Sequence, residues 1–261
     1  MDGIGRIAAA FAGSGKRAAL MPYLMGGFPD LETSLRIGEA YADGGADLVE
    51  LGVPFSDPLA DGPVIHAAGT KALAAGATVD GVLTLAERLS GRFPVVVMTY
   101  ANLVLARTPE GFADSLRDAG ASGLIVPDLP LEEAPAVLAA CDARGIALVP
   151  LVAPTTPDDR LGAIGERARG FLYTVSVAGT TGERAAPQDG HAGILGRAKA
   201  HTSVPVALGF GIGKPEHASA AADAGADGVI VGSRLVREAA EAEDPAGAVR
   251  KLVAAMAEGL R

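Results

Sequence analysis

Three stretches of the chain repeat one junction, and that junction limits what can fold from it. Ala42-Asp43-Gly44-Gly45-Ala46-Asp47 runs into Leu48-Val49, and Asp118-Ala119-Gly120-Ala121-Ser122-Gly123 runs into Leu124-Ile125-Val126. Asp223-Ala224-Gly225-Ala226-Asp227-Gly228 runs into Val229-Ile230-Val231. Each reads as a helix stopping at a glycine cap and feeding a short, wholly apolar strand. Apolar runs without alternation belong to parallel strands buried on both faces. Eight such runs occur, at residues 19–25, 48–52, 95–100, 124–127, 147–152, 171–176, 206–209 and 229–232. Helical patterns separate them, for example 31–41, 131–143 and 214–224. Eight strand–helix alternations in 261 residues predict one (β/α)₈ barrel domain over residues 1–261. A doubly wound open sheet is the weaker alternative, because no G-x-G-x-x-G follows the first run. An extra helix at 4–12 is expected to plug the far end of the barrel.

Two connections are longer than the rest, 53–76 after the second strand and 177–190 after the sixth. Long loops at the C-terminal ends of barrel strands carry function. The first is expected to hold a short extra helix. Superposing the three junctions places Glu50 where Ile125 and Ile230 stand, facing a packed interior. A carboxyl there is paired, neutral, or turned to the mouth of a site; no Arg or Lys is near it in sequence, and the catalytic reading is preferred. Asp57 and Asp61 follow on a loop with three prolines. Asp57 reads as a turn residue as readily as a chemical one, and for Asp61 helix cap and catalyst both stay open. Gly209-Phe210-Gly211-Ile212-Gly213 closes the seventh strand, and Gly232-Ser233 precedes a helix after the eighth. Glycine lets backbone approach an anion and a helix N-terminus offers free N–H groups, so a phosphorylated small molecule is the expected substrate class.

A net charge of −9 argues against nucleic acid and anionic membranes as partners. No apolar run is long enough to span a bilayer and no secretory signal is evident, so a cytoplasmic location is expected. Cys141, the only cysteine, excludes an internal disulfide and reads as a small buried residue. His66, His191, His201 and His217 lack metal-ligand spacing and read as surface residues, so no metal site is expected. Lys199, Lys214 and Lys251 are not at strand ends, so a carbon–carbon cleavage would run by acid–base chemistry rather than through a Schiff base.

The run Leu48-Val49-Glu50-Leu51-Gly52-Val53-Pro54-Phe55-Ser56-Asp57-Pro58-Leu59-Ala60-Asp61-Gly62-Pro63 resembles the signature of tryptophan synthase alpha subunits. Pro22-Tyr23-Leu24-Met25-Gly26-Gly27-Phe28-Pro29-Asp30, Met98-Thr99-Tyr100-Ala101-Asn102 and Val126-Pro127-Asp128-Leu129-Pro130 are similar to family motifs in the same order. So are Gly179-Thr180-Thr181-Gly182, Gly209-Phe210-Gly211-Ile212 and Val231-Gly232-Ser233, and the likeness covers essentially the whole chain. The resemblance implies a lyase that cleaves indole-3-glycerol phosphate to indole and glyceraldehyde 3-phosphate by a retro-aldol reaction. It implies Glu50 as general acid–base and Asp61 as partner of the indole N–H. Gly182, Gly211, Gly232 and Ser233 would hold the phosphate. Tyr23, Met98, Ile125 and Phe210 would line the indole slot, Tyr173 would lie beside the acid–base, and Thr181 would close the site. Pro54, Asp57 and Asn102 would face a beta subunit in an alpha2-beta2 heterotetramer. That partner would carry pyridoxal phosphate; this chain would bind no cofactor of its own.

The chain departs from common family residues at Val177, Thr180 and Tyr23. Three rivals remain in view. A stand-alone indole-releasing lyase would keep the same catalytic residues without a beta partner. An indole-glycerol-phosphate synthase would need a strand lysine, and a sugar-phosphate epimerase a metal or paired strand acids. A non-catalytic activator would not need both Glu50 and Asp61.

Overall fold

A computed structural model describes residues 1–175, 189–209 and 211–261. Its strands are β1 (Ala19–Met25), β2 (Val49–Gly52), β3 (Val95–Met98), β4 (Gly123–Ile125), β5 (Ala147–Val149), β6 (Leu151–Val152), β7 (Leu172–Val175), β8 (Val206–Gly209) and β9 (Gly228–Val231). The helices of the first half are α1 (Gly3–Gly13), α2 (Leu31–Asp43), α3 (Pro63–Ala74), α4 (Val79–Ser90), α5 (Ala101–Leu105) and α6 (Pro109–Asp118). Those of the second half are α7 (Pro135–Asp142), α8 (Asp158–Arg167), α9 (Asp189–Lys199), α10 (Pro215–Asp223), α11 (Ser233–Glu241) and α12 (Pro245–Gly259).

All strand pairs are parallel, in the order β5-β4-β3-β2-β1-β9-β8-β7-β6. The two ends of that order are halves of one chain run, 147–152, so the sheet is a ring: a (β/α)₈ TIM barrel. The fifth run was expected as one strand and is two. Pro150 has no N–H to give to a ladder, so β5 pairs with β4 and β6 with β7, while the Pro150 carbonyl still accepts from Tyr173 N–H at 3.0 Å.

Side chains alternate in and out of the ring, and both sets are apolar. Ala19, Met21, Leu48, Val96, Ile125, Ala147, Val149, Phe171, Ala207 and Ile230 fill the inside; Leu20, Val49, Leu51, Val97, Leu124, Leu172, Leu208 and Val229 pack outward on the helices. Ile7 of α1 is fully buried within the inner cluster, so the first helix plugs the end of the barrel where strands begin. The three junctions share one geometry. Gly45, Gly120 and Gly225 have φ of 92°, 67° and 98°. In each case the glycine N–H returns to the helix (Ala42, Arg117, Ala222) and the next N–H reaches one residue further back (Tyr41, Leu116, Ala221). That pair of bonds is a Schellman cap, and φ in this range is what reserves the position for glycine.

Other boundaries also shifted. The third strand ends at Met98, and Tyr100 instead stands at the N-terminus of α5. The helix expected over 131–143 is α7, starting at Pro135, because proline belongs in a first turn and not inside a helix. The loop expected over 177–190 ends earlier, since α9 starts at Asp189. The extra helix after the second strand is α3, at 12 residues longer than the short segment expected. Cys141 is buried as expected, and burial pushes its thiol up to about 12.

Candidate active site

The C-terminal edge of the strands brings the sequence candidates together. Glu50 sits in β2 with Leu51 and Val49 turned outward, so its carboxyl points inward at 1% exposure. Its register partners are Tyr23 on β1 and Val96 on β3. Among the described residues no Lys, Arg or His pairs with it, and one carboxyl oxygen, Oε2, has no hydrogen-bond partner. The described residues thus offer no ion pair for Glu50. Burial, and secondarily the charge of Asp61, push Glu50 up to about 8, so the side chain holds its proton at neutral pH.

Asp61 lies on the loop from β2 to α3. It does not cap α3: Gly62 is the N-cap and no side chain bonds there, because Pro63 supplies the first helical residue. Its Oδ1 instead accepts the Tyr100 hydroxyl at 3.0 Å. Burial raises the Asp61 carboxyl, against the hydrogen bond from Tyr100 and the charge of His66, which lower it. The same hydroxyl accepts the N–H of Ala60 at 3.1 Å, and the Tyr100 ring stacks on Phe55, centroids 5.3 Å apart. Sequence reasoning gave Tyr100 no role, since nothing in the spacing joins it to a residue 39 positions earlier.

Two tyrosines complete the inner wall. Tyr23 and Tyr173 are buried, and burial followed by nearby carboxylates (Asp61 and Glu50 for Tyr23, Glu50 for Tyr173) raises both phenols well above their ordinary value. A methyl group on Gly52 would overlap the Tyr23 hydroxyl, and one on Gly209 the Tyr173 ring, so these strand-end glycines leave room for the rings. The Tyr23 hydroxyl meets Met25 Sδ at 3.9 Å. Met98 is half-buried at the end of β3, and Ile125 is fully buried at the end of β4.

Across the mouth, Gly211 follows β8 with φ of 81°, and its carbonyl lies 3.1 Å from His217 Nδ1. Gly232 is the N-cap of α11, with Ser233 its first residue, and no side chain caps that terminus. Leu235 and Val236 N–H both turn back to the Gly232 carbonyl, and the N–H groups of Ser233 and Arg234, with no backbone acceptor among the described residues, are available to an anion. Thr181, Gly182 and Phe210, with Val177 and Thr180, lie outside the described residues.

Of the expected partner-facing residues, Asp57 and Asn102 are exposed and Pro54 is buried in this chain. Beside them are two exposed leucines the sequence reading did not single out: Leu59 at 80% and Leu105 at 60%. His66 and His217 are exposed as expected, whereas His201 is half-buried.

Fold and mouth together define a barrel enzyme with carboxyl chemistry at the C-terminal ends of its strands. The tryptophan synthase alpha chain family matches residues 10–260. A tryptophan synthase alpha chain of Prochlorococcus marinus is 50% identical over 87% of this chain and 83% of its own. That of Gloeobacter violaceus is 48% identical over 89% and 86%. A solved Mycobacterium tuberculosis tryptophan synthase chain superposes with a TM-score of 0.91 at 38% identity, covering 99% of this chain and 98% of that one. The alpha subunit from Legionella pneumophila gives 0.90 at 36%, covering 100% and 98%. This chain belongs to the tryptophan synthase alpha chain family, carbon–carbon lyases of tryptophan biosynthesis.

Proposed function

We propose that Glu50 and Asp61 carry the cleavage of indole-3-glycerol phosphate in this chain. The observation behind this reading is Glu50 itself, a carboxyl buried to 1% with no counter-charge among the described residues, protonated at neutral pH and facing the mouth beside Asp61. The reaction asks for such a group. Glu50 gives its proton to C3 of the indole ring, which places positive charge on the ring and makes it a leaving group. The resulting Glu50 carboxylate takes the proton of the adjacent glycerol hydroxyl. The carbon–carbon bond breaks, its electron pair returns to the ring, and the alcohol carbon becomes the aldehyde of glyceraldehyde 3-phosphate. The proton count closes on Glu50, ready for another turnover. Asp61, as the carboxylate at the ring N–H, stabilises the charge that develops there.

Gly211, Gly232 and Ser233, with Gly182, are the proposed phosphate cradle. Tyr23, Met98, Ile125, Tyr173, Thr181 and Phe210 form the proposed slot for the ring. The chemistry needs no cofactor from this chain. The beta subunit is the proposed partner, carrying pyridoxal phosphate in an alpha2-beta2 heterotetramer in the cytoplasm, with the whole of 1–261 acting as one barrel domain. Asp57 and Asn102, flanked by exposed Leu59 and Leu105, are its proposed contacts, and this apolar surface favours a partnered enzyme over a stand-alone lyase.

Indole release from indole-3-glycerol phosphate, measured with and without a beta subunit, tests the reading. Glu50→Gln is expected to lower turnover by about 10²–10⁴-fold while glycerol phosphate still binds. Turnover within twofold of the wild type would remove Glu50 from the mechanism.

A further inference from the structure

We propose that Tyr100 is a positioning residue for the reaction, gripping the Asp61 carboxylate and the peptide before it from the end of β3. The inference rests on the reading of Asp61 as the carboxylate at the indole N–H. One phenol hydroxyl has one proton to give and lone pairs to receive. Here the proton goes to Asp61 Oδ1 at 3.0 Å, and a lone pair takes the Ala60 N–H at 3.1 Å. Two consecutive loop residues are therefore tied to one atom. The ring that carries this atom is 4% exposed and stacked on Phe55 of the same loop at 28°. A single side chain thus holds the loop from Phe55 to Asp61.

The anchor is independent of what it holds. Tyr100 leads directly from β3 into α5, and its own carbonyl accepts the Leu103 N–H at 3.0 Å. Asp61 has no comparable tie within its loop, since α3 is capped without it. Among the described residues the Tyr100 hydroxyl is the hydrogen-bond partner of its carboxylate. Taking one oxygen fixes the plane of the carboxylate and leaves the other for a ring N–H, which is how a charged group avoids reorganising when charge develops in front of it. Among the described residues the groups that face Asp61 electrostatically are Glu50, Tyr23, Tyr100 and His66. Of these, Tyr100 gives it a hydrogen bond that favours the ionised form.

Tyr100→Phe keeps the ring and its stack and removes only the hydroxyl. In the full chain, assayed with indole-3-glycerol phosphate, kcat is expected to fall by about 10–100-fold, the range of one hydrogen bond to a charged group. Calorimetric affinity for glycerol phosphate should stay within twofold. The acidic limb of kcat/KM should move to higher pH, because Asp61 loses a bond that favours its charge. In an Asp61→Asn background the same change should cost less than a further twofold. Replacing Tyr100 with 3-fluorotyrosine, a stronger donor of nearly the same shape, should move the limb the other way and keeps the test open if Tyr100→Phe does not fold. Unchanged kcat in Tyr100→Phe, an unmoved acidic limb, or an equal loss with and without Asp61 would each overturn the proposal. A fully active Asp61→Asn would instead overturn the reading of Asp61 beneath it.

Discussion

The burial of Glu50 makes it useful and makes it a burden on the fold. Its ordinary value is 4.5 and burial moves it to about 8. Below about pH 4.5 the carboxyl is protonated in folded and unfolded chains alike and exerts no pull on the equilibrium. Between that value and about 8 only the unfolded chain ionises, so stability falls as pH rises through this window and stays low above it. Glu50→Gln removes the group that ionises and keeps its shape. Thermal melts should show the variant more stable than the wild type by roughly 4–8 °C near pH 8.5, with the gain vanishing near pH 4.5. A gain independent of pH would mean Glu50 ionises in the folded state as it does in water. Glu50 was legible in the sequence because the junction repeat set it against Ile125 and Ile230, and those two residues do lie inside the barrel. Tyr100 was not legible: its role depends on the loop from β2 folding back over the end of β3, a contact that no local pattern encodes. For Asp61 the sequence left cap and catalyst open, and the structure removes the cap, since Gly62 stands in that place.

At the scale of elements, the junctions explain why so much of the barrel could be read in advance. A strand buried on both faces must be apolar throughout, and the bounds expected for β1 and β8 match those observed. What could not be read was pairing that depends on a neighbour, such as the division of the fifth run at Pro150. The junctions also carry a polar device. Asp47 and Asp227, at the same place in the repeat, accept the N–H of Leu20 at 2.7 Å and Val206 at 2.8 Å, and each pairs with a lysine, Lys16 at 2.8 Å and Lys199 at 2.7 Å. Ser122 occupies that place in the second junction, too short to do the same, and its hydroxyl is buried without a partner. The glycine before it in each junction is open to a clean test at Gly225, where φ is 98° and no atom stands within 4 Å of an added methyl group. Gly225→Ala should therefore cost backbone strain alone, about 1–2 kcal/mol, with lyase kinetics unchanged. Denaturant melts check the first expectation and steady-state assays the second. A variant as stable as the wild type would show that the turn relaxes out of the left-handed region.

Across the whole molecule the two ends of the barrel divide the work. One end is closed by Ile7 and tied by the aspartate–lysine pairs, and the other carries every candidate site residue described. Within that working end there is a second division. The glycines after β8 and β9 suit a phosphate, and the loops after β2 and β3 hold Asp61 through Tyr100. A phosphorylated indole substrate laid across the mouth would point its ring toward β2 and β3. Of the exposed leucines, Leu59 sits on the loop after β2 and Leu105 ends α5, the helix that follows β3, so the surface left for a partner adjoins the ring end of the site. A released indole would then travel a short way to a docked beta subunit. Leu105 is the better probe of this surface, because Leu59 lies two residues from Asp61 and its replacement could disturb the carboxylate. Burying a leucine side chain contributes about 1.5–3 kcal/mol, and each 1.4 kcal/mol is about tenfold in affinity. Placing a charge there adds a desolvation penalty on top of the lost contact. Leu105→Asp is therefore expected to raise the Kd for the beta subunit at least tenfold, measured by calorimetry or sedimentation. A Kd within twofold of the wild type would place the beta subunit on a different face of the barrel.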